Sequence, residues 1–247
     1  KNSTKPTTTK FMATEAYSTL DDTMRYYGNA TNNGSLIDSW YEKMPAGKWA
    51  DWVMIGNHDK PRAASRFGRD MLDSIHMIQF LIPGTVVTYM GDEIAMKDRL
   101  YTRRKSPKSH LSIYKRLLKL KSFPVIQRGS VKLTAPNENI LVIERRQEKT
   151  VFVAVINIGS FYETFDLTKH VSLPEPKLVV YTSSMNCEHK EDEGVDASAI
   201  KLRPKAGVVL RGVFKSSGLH WNIKLRHYCS KFFTPIEFLS FLAFPPK

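Results

Sequence analysis

Trp52-Val53-Met54-Ile55-Gly56-Asn57-His58-Asp59 is the stretch that decides the fold. An apolar run of strand length, of the kind that becomes buried, ends abruptly in three polar residues. The pattern then repeats. Thr85-Val86-Val87-Thr88-Tyr89 is β-branched enough for a second strand, and it ends in Gly91-Asp92-Glu93. Between the two, Met71, Leu72, Ile75, Ile78 and Phe80 recur at helical spacing and predict a helix over 69–80, closed by Pro83-Gly84. Strand, acidic tip, helix, strand, acidic tip is the grammar of a β/α architecture. In such folds buried parallel strands deliver catalytic side chains at their C-terminal ends.

Upstream, residues 10–17 read as a short, mostly apolar strand holding Glu15 at its end, and Leu36, Ile37, Trp40 and Met44 predict a helix over 36–44, stopped by Pro45 and Gly47. Asn2, Asn29 and Asn33 each open a glycosylation sequon, which points to a secretory route. Downstream, Leu111, Tyr114, Leu117 and Leu118 mark a further helix, with Lys115, Arg116 and Lys119 expected on its wet side. From Phe123 the grammar changes. Candidate strands at 139–145, 150–158, 161–167, 177–183 and 199–214, the last broken by Pro204 and Gly207, follow one another with turn residues between them. They predict a small antiparallel, sandwich-like β domain over 123–214, with the boundary near 121–126 where Pro124 ends the preceding helix. Residues 215–247 are aromatic but proline-broken. They are expected to be a disordered or non-native tail, with a lipid-anchor attachment signal after Ser216-Ser217-Gly218 as the alternative.

Composition narrows the classes. With 42% hydrophobic and 25% charged residues the chain is of ordinary globular type. No stretch approaches the ~20 apolar residues of a membrane helix. Two cysteines, Cys187 and Cys229, exclude a disulfide framework or a cysteine-built zinc site, whether or not they pair. The net charge of +13 invites a nucleic-acid partner, but eleven basic residues against one acid between Lys97 and Arg128 supply +10 of it. No zinc-finger, helix-turn-helix or RNA-binding signature accompanies that stretch, so the expectation is no nucleic-acid partner. No cofactor or metal is implied. The chain opens on Lys1 without an apolar leader, as expected of a processed or internal piece.

Three blocks in order resemble the α-amylase superfamily of glycoside hydrolases, and within it the insect maltases (α-glucosidases). They are Met12 to Tyr17, Trp52 to Arg66 with its Gly56-Asn57-His58-Asp59-Lys60-Pro61-Arg62 core, and Leu81 to Met96. The runs Asp22 to Gly28 and Met44 to Gly47 are also maltase-like, so the resemblance covers about residues 9–214. It implies a (β/α)8 barrel, of which strands five, seven and eight are present in residues 1–122, followed by the β domain. It also implies the roles. Retaining glycosidases need an acid to protonate the leaving oxygen and a carboxylate nucleophile about 5–5.5 Å away. Glu15, on strand five, matches the general acid/base, and Asp59, on strand seven, the auxiliary carboxylate holding sugar hydroxyls. His58 matches the histidine that bonds the glucose at the cleaved linkage, and Arg62 is expected beside the carboxylates. The substrate would be maltose, sucrose or a short oligosaccharide, and the place the secretory path or the outer membrane face.

The same resemblance shows what is missing. A full barrel takes about 250 residues, whereas this chain offers about half that before its β domain. Strands one to four, with the aspartate nucleophile and its arginine companion, have no counterpart. Only 44 residues separate Glu15 from Asp59, too few for two βα units, so strand six is expected to be lost after Ser35. A further gap follows Asp98. The expected product is a truncated, catalytically incompetent maltase-type chain. A non-catalytic relative similar to the amino-acid-transporter heavy chains is the alternative, and a basic nucleic-acid-binding protein a third reading.

Overall fold

The computed structural model describes residues 51–52, 56–98 and 108–214. The strand and helix expected over 10–44, Glu15, the sequons at Asn2, Asn29 and Asn33, Cys229 and the tail lie outside the described residues.

Strands β1 (Asp51–Trp52) and β2 (Thr85–Val86) run parallel, with Asp51 opposite Thr85 and Trp52 opposite Val86. Parallel neighbours need a crossover. Here it contains a short α1 (Ala63–Arg66) and α2 (Arg69–Leu81). Gly68, at φ +83°, occupies the residue before α2, where a side chain would be strained. The helix stops at Ile82, whose backbone turns extended ahead of Pro83. Leu72, Met77, Phe80 and Leu81 are all buried. Leu72 packs against Ala63, Ala64 and Ala95, while Met77, Phe80 and Leu81 belong to a larger core shared with the β region.

Helix α3 (His110–Lys121) starts on Ser109, whose hydroxyl accepts from the Ser112 amide at 3.1 Å while the Ser112 hydroxyl accepts from the Ser109 amide at 2.9 Å. Its buried face is Ile113, Leu117 and Leu120, with Leu111 and Leu118 exposed. Of the expected pattern, Leu117 is buried and Tyr114 packs on the core, whereas Leu111 and Leu118 are not on the buried face. The fold also moves Arg116 off the wet side: its guanidinium stacks 5.0 Å from the Tyr181 ring, donates to the Tyr181 carbonyl and pairs with Glu191 at 3.2 Å. Pro124 does not end α3. It opens α4 (Pro124–Arg128), where its missing N–H costs nothing.

The β region is a six-stranded antiparallel sheet in the order β3-β4-β5-β10-β7-β8, plus a two-stranded β6-β9. The strands are β3 (Ser130–Thr134), β4 (Ile140–Gln147), β5 (Thr150–Asn157), β6 (Glu163–Phe165), β7 (Lys177–Ser183), β8 (Gly194–Asp196), β9 (Ile200–Leu202) and β10 (Gly207–Val213). One face carries Val142, Val153, Leu178, Val208 and Leu210 against Phe165, Ile200 and Leu202 of the small sheet. The other carries Ile143, Phe152, Ala154, Ile156 and Val209 against α2, α3 and α4. Covered on both sides, β5 is buried along nearly its whole length, as its unbroken apolar run requires. What read as a sandwich is a sheet with two strands on one face and helices on the other. The helix–sheet core therefore extends across the boundary expected near residue 122.

Candidate functional site

The Asn-His-Asp turn sits where β1 would deliver it, C-terminal to the strand. The Asp59 amide donates to Asn57 Oδ1 at 3.1 Å, folding the turn on itself. His58 Nε2 lies 3.3 Å from Asp59 Oδ1, and the two side chains are 71% and 50% exposed. Both are open to a polar ligand. Arg62 is committed elsewhere. Its Nη1 donates to the Met90 carbonyl at 2.5 Å, its guanidinium lies 5.4 Å from the Tyr89 ring centre, and its amide donates to Asp98 Oδ1 at 2.9 Å. The Asp98 amide in turn donates to the Ser65 hydroxyl at 3.1 Å. Arg62 thus ties the tip after β1 to the tip after β2. The backbone bond from Arg62, helped by Ser65, holds the Asp98 carboxyl below its usual range.

The tip after β2 is built around a close approach. Gly91, at φ +97°, leaves room for Arg62, because a Cβ there would stand 2.7 Å from Nη1. Its amide donates to Glu93 Oε2 at 2.8 Å. Asp92 is fully buried, and neither carboxylate oxygen has a hydrogen-bond partner. Burial pushes its pKa up to about 6, with Glu93 adding to the rise and Arg62 and Arg66 opposing it. On the β1 side it abuts Gly56, where a Cβ would lie 2.8 Å from Oδ2.

Below this tip, His76 Nε2 is 3.3 Å from the Asp92 carbonyl and Nδ1 is 3.3 Å from Gln79 Oε1. Burial lowers its pKa, so the ring is held neutral. The ring meets Tyr114 edge-on, and the Tyr114 hydroxyl is 2.7 Å from Thr88 Oγ1. His76 is thus a satisfied interior residue. His110 is tied by Nδ1 to the buried Asp73 at 2.7 Å, and Asp73 also accepts from the Met185 amide at 2.9 Å. Among the described residues no three His, Cys, Asp or Glu side chains gather as metal ligands. Asp92 was expected at the acidic tip after the second strand, but its burial and its approach to Gly56 were not, and Asp98 had no expected role there. The one signal for Asp92 was its place directly after a glycine at a strand end.

A strand-delivered Asn-His-Asp turn beside a second acidic strand tip, joined by a helical crossover between parallel strands, is the arrangement of a β/α fold. The comparisons agree with that class. Residues 30–114 match the model of the α-amylase catalytic domain. The chain resembles the α-amylase family of glycoside hydrolases, and its curated relatives include insect maltases. Maltase A1 of Drosophila melanogaster is 25% identical over 83% of this chain and 50% of its own length. The α-glucosidase of Culex pipiens is 26% identical over 85% and 48%. The amino acid transporter heavy chain SLC3A1 of Mus musculus is 27% identical over 92% and 43%. Among solved structures, trehalulose synthase MutB of Pseudomonas mesoacidophila MX-45 aligns with a TM-score of 0.55 at 17% identity, over 71% of this chain and 45% of that one. The chain spans about half the length of the curated relatives it matches.

Proposed function

We propose that the chain carries part of a retaining α-glucosidase, which removes terminal α-1,4-linked glucose from maltose, sucrose and short oligosaccharides on the secretory or extracellular side. The observation that carries this reading is the Asn57-His58-Asp59 turn beyond a parallel strand, with His58 and Asp59 exposed, inside the segment matched by the α-amylase model. In this reading Asp59 is the auxiliary carboxylate holding sugar hydroxyls, His58 bonds the glucose, and Glu15 is the general acid/base. Arg62 contributes by holding the two tips together. Double displacement also needs a carboxylate nucleophile, and no aspartate of this chain matches it. The division into 1–122, 123–214 and a tail belongs to the same proposal.

The 247-residue chain should therefore release no p-nitrophenol from an aryl α-glucoside above background. Joined to an upstream barrel half bearing the nucleophile, it should hydrolyse the substrate, and Glu15→Gln should abolish that turnover. Robust turnover by the chain alone, eliminated by Glu15→Gln, would overturn the incomplete-enzyme reading.

A second reading is a non-catalytic partner subunit. The observation favouring it is the mouse transporter heavy chain, which covers more of this chain than the maltases named above. It predicts that the joined protein folds yet stays inactive, and that it co-purifies with a membrane transporter. A third reading, a basic nucleic-acid-binding protein, would have to rest on basic residues of the 97–128 stretch other than three that the fold engages. Arg116 is spent on Tyr181 and Glu191, Lys108 on Ser183 and Cys187, and Lys121 on the Phe80 and Ile82 carbonyls.

A further inference from the structure

Asp92 is the buried titratable group that the proposed chemistry does not use. Its surroundings are unusual for a structural acid. A carboxyl with no access to solvent and no donor on either oxygen is costly to ionise. Yet it faces the base of the Asn57-His58-Asp59 turn through Gly56, the one residue type whose missing side chain allows the approach. Two cations face it: Arg62 from the loop after the turn, and Arg66 from α1. Glu93 is the adjacent acid, and the neutral His76 of α2 meets its backbone carbonyl.

We propose that Asp92 is a positioning residue for Asp59, setting the placement of the turn according to whether its own carboxyl carries a proton. This rests on the glycosidase reading of the turn. With the proton on, the carboxyl is neutral and exerts no net charge on Arg62, whose guanidinium stays on the Met90 carbonyl and the Tyr89 ring. With the proton off, the buried charge draws Arg62 toward itself and away from Met90. Arg62 lies three residues from Asp59 and shares its loop, so the turn follows. The two arrangements interconvert across the range where Asp92 titrates, near pH 6.

Hydrogen exchange of the amides from Asn57 to Lys60, measured on the whole chain at about pH 5 and about pH 7.5 and corrected for intrinsic rates, reads this directly. Protection should differ on the order of tenfold between the two conditions. Asp92→Asn should remove the difference, and Glu93→Gln should keep it. Persistence in Asp92→Asn, or loss in Glu93→Gln alone, overturns the proposal. Should Asp92→Asn fail to fold, carbon-13 titration of the wild-type chain replaces it. The Asp92 carboxyl and the Gly56 amide should inflect together, and independent inflections would refute the coupling. Absence of hydrolysis by the joined enzyme would refute the glycosidase reading and leave this exchange result standing, so the two fail separately.

Discussion

At the scale of single residues, two buried charges do opposite things for the fold. Arg145 is 1% exposed, and it donates to the carbonyls of Leu81 at 2.9 Å, Ile126 at 2.5 Å and Gly129 at 2.9 Å. It caps the C-terminal ends of α2 and α4, where a cation is favoured by the helix dipole and by carbonyls that would otherwise be orphaned. Arg145→Met should cost about 3–5 kcal/mol, since it strands several buried acceptors at once. Lysine should not rescue it, having no planar fork to reach them. Thermal unfolding measured by circular dichroism checks both. Asp92 works against the fold at neutral pH. Its folded-state pKa is raised from 3.8 to about 6, so the folded state holds the proton more tightly than the unfolded one. Its contribution is then best below about 3.8 and is lost as pH rises through about 6. Asp92→Asn should be more stable than wild type by roughly 2–3 kcal/mol above pH 7 and about equal at pH 4. Urea midpoints across that range decide it, and a constant offset at all pH values would show the gain is not from ionisation.

Among the elements, α3 shows most clearly where a sequence stops being legible. Its leucines fall on two faces, and periodicity picked out Leu111, Tyr114, Leu117 and Leu118, of which Leu117 is buried and Tyr114 packs on the core while Leu111 and Leu118 stay exposed. Only the packing partners, Met77 and Phe80 on α2 and Phe152 and Ala154 on β5, add Ile113 and Leu120 to Leu117 on the buried face. The N-terminus was readable in principle from Ser109 and Ser112. Ser109→Ala should lose the bond to the Ser112 amide and cost about 1 kcal/mol, seen as a lower melting temperature. The inner strands β4, β5 and β7 were plain because their apolar runs are buried on one or both faces. Edge strands β3 and β8 were not read as strands: Ser-Val-Lys-Leu-Thr is mostly half-exposed, and Gly-Val-Asp buries one side chain. At the site, Asn57-His58-Asp59 was legible because the motif and the strand before it agree. Asp92's isolation was not, because it depends on how Gly56, Gly91 and Arg62 come together in space.

For the whole molecule, the boundary near residue 122 marks a change of architecture across which one hydrophobic core continues. The sheet face holding Ile143, Phe152, Ala154, Ile156 and Val209 is covered largely by Met77, Phe80 and Leu81 of α2 and Ile113, Leu117 and Leu120 of α3. Residues 123–214 expressed alone would keep β6-β9 on one face and only α4 on the other. Each large side chain so uncovered forfeits about 1.5–3 kcal/mol, and several together approach the 5–15 kcal/mol that is the whole stability of an ordinary domain. Arg145 would in addition lose the Leu81 carbonyl. The excised piece should therefore show a β-type far-ultraviolet spectrum while binding a hydrophobic dye and associating at micromolar concentration. Extending it upstream to residue 56 restores α2 and α3, so dye binding should fall and cooperative unfolding should return. A monomeric, dye-free 123–214 fragment that unfolds cooperatively would show that the helices decorate the sheet, and that the β region is an autonomous domain after all.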